Sequence, residues 1–202
     1  MTERARTFTK SQAMLYGVLC ALPFLIAVGC LFRFALRDRA QLMTLGGPSF
    51  FAAFLAIIAV SVTLHELLHG LGWMVAGSLR WQDVHFHLSA MMPTTSCERP
   101  LAKRAYLTGV LLPFAVLGLA SLAFLFIFPG TLSLLSALVN FTLAGADLVI
   151  ALCVLREPQN AHIADHSTLA GYVIAEKKKP SMTTPMCMVI DDFHFVIPTP
   201  SR

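Results

Sequence analysis

Four apolar runs, residues 13–32, 50–76, 105–128 and 131–155, constrain any fold of this chain, because each has the roughly 20 residues needed to cross bilayer hydrocarbon. Peptide groups in lipid find no water, so a spanning segment must satisfy its own backbone as a helix unless strands close into a barrel. Nothing here alternates as barrel strands do. Only 13% of the residues are charged and 56% are hydrophobic, whereas about a quarter of a soluble domain is charged. The expected fold class is an all-α membrane protein with four transmembrane helices, a short β-hairpin-like cytoplasmic loop and an irregular C-terminal tail.

Charge gives the orientation, since Lys and Arg gather on the cytoplasmic side. With both termini inside, that side holds Arg4, Arg6, Lys10, Arg80, Arg99, Lys103, Arg104, Arg156, Lys177, Lys178, Lys179 and Arg202, and the other keeps only Arg33, Arg37 and Arg39. The reading is a multi-pass protein of the plasma membrane with both termini cytoplasmic and the lipid bilayer as its surroundings. Residues 1–12 form a basic lead-in, disordered or lying on the surface, residues 13–155 the four-helix core, and residues 156–202 a cytoplasmic tail. The net charge of +4 then reflects topology and solvation rather than nucleic-acid binding. The five cysteines form no C-x-x-C pair and imply no disulfide framework. Ala27-Val28-Gly29-Cys30 faintly resembles a lipoprotein cleavage site, but the apolar run continues past it, so the first helix is expected to stay uncleaved.

Between the spans, Gly46-Gly47-Pro48 signals a turn in a first loop over residues 33–49. In the second loop, residues 78–104, Val84, Phe86 and Leu88 alternate with Asp83, His85, His87 and Ser89, the period of a strand with one apolar face, and Met91-Met92-Pro93 ends it. Such a strand either covers a site or offers an edge to an extended substrate. Pro129-Gly130 turns the third helix into the fourth. In the tail, residues 186–190 and 193–197 have the composition to pair as short strands. His162 and His166, four apart, read as a solvated turn rather than a metal pair.

Ionisable side chains inside a bilayer are costly and find one another. The spans contain His65, Glu66 and His69 in the second helix and Asp147 in the fourth. In His65-Glu66-Leu67-Leu68-His69 the two imidazoles lie one helical turn apart on one face, the spacing that grips a single metal ion, with Glu66 beside them. Both His69 and Asp147 sit about 12 Å from the inner ends of helices that run the same way, so their depths match. Two neutral imidazoles and a carboxylate give Zn²⁺ three protein ligands and leave a fourth position for water. Glu66 would take that water's proton and pass it to a leaving amine, which is peptide hydrolysis. Asn140, seven positions before Asp147, shares its face and would steady a ligand or the substrate backbone. His85 and His87 are weaker candidates, because zinc seldom needs more ligands than these.

This combination resembles the site-2 protease class of intramembrane zinc metallopeptidases. It is more similar still to the small zincin peptidases of the DUF3267 family, which share the intervening loop (Pro93, Cys97, Pro100), a proline in the next helix (Pro113) and an Asp-His before a Gly-Tyr (Asp165-His166, Gly171-Tyr172). The likeness spans roughly residues 50–175. It implies a substrate that is a membrane-embedded or membrane-adjacent protein segment or peptide. Site-2 proteases place a proline and an Asp-Gly pair around the third ligand. Here Asn140 is followed by Asp147-Leu148, so the usual signal for unwinding the fourth helix is missing. Two other readings use the same residues: a non-hydrolytic membrane metal-binding protein for structure, sensing or ion handling, and a helix bundle in which the polar cluster is interhelical glue.

Overall fold

In the computed structural model, which describes residues 4–40, 47–88, 93–166 and 170–175, strand β1 (Arg4–Phe8) leads directly to a capped first helix. Thr9 Oγ1 accepts the Gln12 N–H at 3.3 Å while Thr9 N–H donates to Gln12 Oε1 at 3.1 Å, a reciprocal cap. Helix α1 (Lys10–Leu31) runs through Pro23, continues as a π-helical turn (Phe32–Leu36) and tightens into a 3-10 turn (Arg37–Arg39). The winding thus passes residue 33, where a loop was expected. Leu36 explains this by packing with Val28, Leu125 and Phe141, which only a continued helix can bring about.

Helix α2 (Gly47–Gly77) carries Pro48 in its first turn, where a missing N–H is harmless. After it, β2 (His85–Leu88) and β3 (Pro93–Ser96) form an antiparallel hairpin with Phe86 opposite Thr95, as the alternation suggested. Residues 89–92, including Met91 and Met92, lie outside the described residues, and Pro93 begins a strand. Next come β4 (Leu101–Ala102) and α3 (Lys103–Ile127), which contains Pro113.

The fourth span is two helices, α4 (Thr131–Leu143) and α5 (Gly145–Leu155), parted at Ala144, whose ψ of −7° departs from the helical value. No proline is needed for the break. Helix α1 crosses here so closely that a Cβ on Gly145 would stand 2.2 Å from the Gly17 carbonyl oxygen. All four spans are long and apolar enough to cross a membrane.

The last described elements are β5 (His162–Asp165) and β6 (Ala170–Ala175). They join β1 and β4 in an antiparallel sheet of order β1-β6-β5-β4, with Arg6 opposite Tyr172 and Leu101 opposite Ile163. Three expectations are corrected by this sheet. The lead-in over residues 1–12 contains a paired strand, and the start of the tail is ordered; β5 also takes His162 into a strand rather than a turn. The cause is tertiary: the sheet gathers the first ends of α1 and α3 and the last end of α5, and it buries Tyr172, Ile163 and Ile174 against Tyr106 and Val154. Glu157 secures the corner, accepting from Tyr172 Oη at 2.9 Å and pairing with Arg6 Nε at 3.1 Å. The suggested strands at 186–190 and 193–197 and the lysines at 177–179 lie outside the described residues.

Two apolar cores result. One sits under the sheet, and the other, of Val28, Leu36, Leu125, Ala137 and Phe141, lies toward the opposite end. Along the fourth span, Asp147 falls between Phe141 of the second core and Ala151 of the first.

Candidate metal centre

His65 and His69 are one turn apart on α2, and both rings are buried. Asp147 enters from the first turn of α5, just past the break at Ala144, where a carboxylate is favoured by the helix N-terminus. His65 Nε2 stands 3.1 Å from His69 Nε2 and 3.0 Å from Asp147 Oδ2, and His69 Nε2 stands 3.4 Å from Asp147 Oδ1. Taking one ligand atom from each residue, the three lie within 4.8 Å of one another, close enough to converge on a single ion. Each carboxylate oxygen of Asp147 thus faces one imidazole, Oδ2 toward His65 and Oδ1 toward His69. A buried, convergent set of two imidazoles and one carboxylate is a donor set that fits a zinc ion. Among the described residues this is the one cluster of His, Cys, Asp and Glu able to hold a metal; His85, His162 and His166 are not part of it.

The second ring nitrogen of His69 settles its tautomer. Nδ1 lies 3.0 Å from the carbonyl oxygen of Gly109 on α3, and a carbonyl can only accept, so Nδ1 carries a proton and Nε2, which faces the cluster, is the nitrogen left to bind a metal. Helices α2 and α3 come this close because Gly72 meets Gly109: a Cβ on Gly72 would lie 2.7 Å from the Gly109 Cα. Gly70 makes room instead for Val84 and for Phe86 of the hairpin.

Glu66 lies beside the ligands and outside the three-residue cluster. The hairpin covers this part of α2, with Thr95 Oγ1 donating to the Glu66 carbonyl at 3.0 Å. Asn140 does not bond to any of the three cluster residues. Its Nδ2 donates to Ser136 O at 2.9 Å on its own helix, and its buried Oδ1 has no hydrogen-bond partner.

An aromatic column continues from the cluster to the sheet. The Trp73 ring stacks on His69 (centroids 5.5 Å, 18° between planes) and on Tyr106 (6.0 Å, 26°), and Trp73 Nε1 donates to Tyr106 O at 3.2 Å. Tyr106 Oη donates to Asp165 Oδ1 at 2.5 Å, and the Cys97 N–H donates to Asp165 Oδ2 at 2.8 Å. Burial outweighs both hydrogen bonds and raises the Asp165 carboxyl to about 6; burial likewise pushes the Cys97 thiol up to about 11, so it is inert as a nucleophile at neutral pH. The sequence reading did not assign Trp73 or Tyr106 a part. The interval of four residues from His65 to His69 to Trp73 was the available signal for the first; nothing local marked the second.

No curated protein and no solved structure matches the chain. One family model, whose description is "Putative zincin peptidase", matches residues 58–162, a stretch that contains the whole cluster from His65 to Asp147. With more than half of its length matched, and with buried ligands of the type that description implies, the chain belongs to the DUF3267 family.

Proposed function

We propose that the protein is an intramembrane zinc metallopeptidase, similar to site-2 proteases, that hydrolyses peptide bonds in membrane-associated proteins or peptides. The observation that carries this reading is the convergence of His65, His69 and Asp147, with ligand atoms within 4.8 Å of one another, inside helices apolar enough to span a bilayer. These three residues would hold the ion. Zinc bound there supplies Lewis acidity, which makes water acidic near neutral pH and polarises a carbonyl. Glu66 accepts a proton from the attacking water as its oxygen bonds to the scissile carbon, then returns a proton to the departing nitrogen as the C–N bond breaks. The unpartnered Asn140 Oδ1 is assigned to a substrate backbone N–H, and the β2–β3 hairpin flanks the site where an extended segment would lie. The sheet end carries Arg6, Arg80, Arg99, Lys103, Arg104 and Arg156, against Arg33, Arg37 and Arg39 at the other, which supports a plasma-membrane orientation with the sheet and both termini cytoplasmic.

Glu66→Gln tests the reading. Membrane proteomes of cells carrying the native protein should contain a truncated fragment that is missing with Glu66→Gln, while the purified variant still binds zinc. If zinc is retained and no fragment depends on Glu66, the non-hydrolytic metal-binding reading takes its place; if neither protein binds metal, the cluster is interhelical glue.

A further inference from the structure

Helix α3 has a buried proline, Pro113, in its interior. In an unbroken helix the N–H of residue 113 would donate to the carbonyl of residue 109. Proline has no N–H, and its ring crowds that carbonyl and turns it away from the helix axis. The carbonyl so released is the one that accepts the His69 Nδ1 proton, at 3.0 Å. We propose that Pro113 is a positioning residue for the metal centre: by withholding a donor from Gly109 O, it reserves that oxygen for His69 and fixes the ring in the tautomer whose Nε2 lone pair faces His65 and Asp147. The proposal rests on the metal-site reading above.

Three observations converge on this role. A carbonyl released inside hydrocarbon is costly unless a neighbouring group takes it up, and a buried imidazole N–H is costly for the same reason; here each satisfies the other. The two helices approach closely enough for the bond because glycines meet at the crossing, Gly72 on one and Gly109 on the other. Gly109 also leaves the space in which Trp73 lies against α3, so the ring that stacks on His69 and the carbonyl that orients it are set by one turn of backbone. A proline anywhere else in α3 would bend the helix but release a different carbonyl. Only residue 113 frees the oxygen of residue 109.

The test uses the full-length protein in detergent, with zinc affinity measured by chelator competition and the His69 tautomer by ¹⁵N shifts of the metal-free protein at a pH where the ring is neutral. Pro113→Ala restores the N–H, and zinc should bind about 10–100-fold more weakly, the range for loss of a histidine's outer partner, with His69 no longer held as the Nδ1–H tautomer. Replacing Pro113 with lactate, the ester analogue of alanine, removes ring and N–H together; it should keep the native tautomer and bind zinc within about threefold of wild type. The proposal is overturned if Pro113→Ala matches wild type in both measurements, or if the ester is as weak as the alanine variant, which would make the ring's shape the cause. A wild-type protein that binds no zinc would refute the metal-site reading instead, and the tautomer would still decide the part of Pro113.

Discussion

The contact between Gly109 and Trp73 gives the sharpest test of how the site is supported. A Cβ added at Gly109 would stand 2.0 Å from Trp73 Cδ1 and 2.2 Å from Nε1. Carbon atoms settle at about 3.5 Å, so in Gly109→Ala the indole must retreat by about 1.5 Å. Its bond to Tyr106 O, already 3.2 Å long, would not survive such a move. Overpacking costs about 1–3 kcal/mol and the lost hydrogen bond about 1, for a total of about 2–4 kcal/mol. In a chain of this size that lowers the thermal midpoint on the order of 10 °C, measurable by circular dichroism in detergent. Adding Trp73→Leu removes the obstacle, so the double variant should be more stable than the summed single losses by about 1 kcal/mol or more. A Gly109→Ala protein that melts with wild type, or two costs that simply add, would refute the close approach of the indole to α3.

Other expectations follow from single contacts. Asp147→Ala should weaken zinc binding beyond the roughly 10–100-fold expected of an outer partner, and unchanged affinity in a competition assay would remove Asp147 from the ligand set. Asp165 is raised from 3.8 to about 6, so its stabilising contribution is complete below pH 3.8 and is lost as pH rises through about 6. Melting curves should therefore show wild type losing stability relative to Asp165→Asn between about pH 4 and 6.5; parallel pH profiles would contradict this. Buried Lys103 donates from Nζ to Leu155 O at 2.9 Å and Glu157 O at 2.7 Å, tying the start of α3 to the end of α5. Lys103→Met keeps the stem but orphans both carbonyls, and should lower stability to denaturant by about 1–3 kcal/mol, with new protease sensitivity near residues 155–161.

How legible each feature was depended on the distance over which it is decided. The hairpin could be read because the alternation around Phe86 is local. The four-stranded sheet could not, because β1 pairs with β6 from the far end of the chain, and strands of two to six residues carry little pattern. Asn140 shows the limit of helical spacing. Seven residues from Asp147, it was expected to steady a ligand or the substrate backbone; the helix breaks at Ala144 between them, and the Asn140 amide N–H turns to Ser136 O rather than to Asp147. That break carries no local signal of its own, and comes where the backbone of α1 meets Gly145.

The amino-acid sequence by itself determined the four spans and the pairing of His65 with His69, since hydrocarbon thickness and the helical repeat act on neighbouring residues alone. It also set Asp147 at the right depth, because rise per residue is constant. Only the tertiary structure decided that Asp147 turns inward, that Gly109 receives a proton from His69, and that residues 4–8 and 170–175 join in one sheet. Those outcomes depend on which helices touch and how closely, and glycine crossings and buried hydrogen bonds between distant segments fix that together.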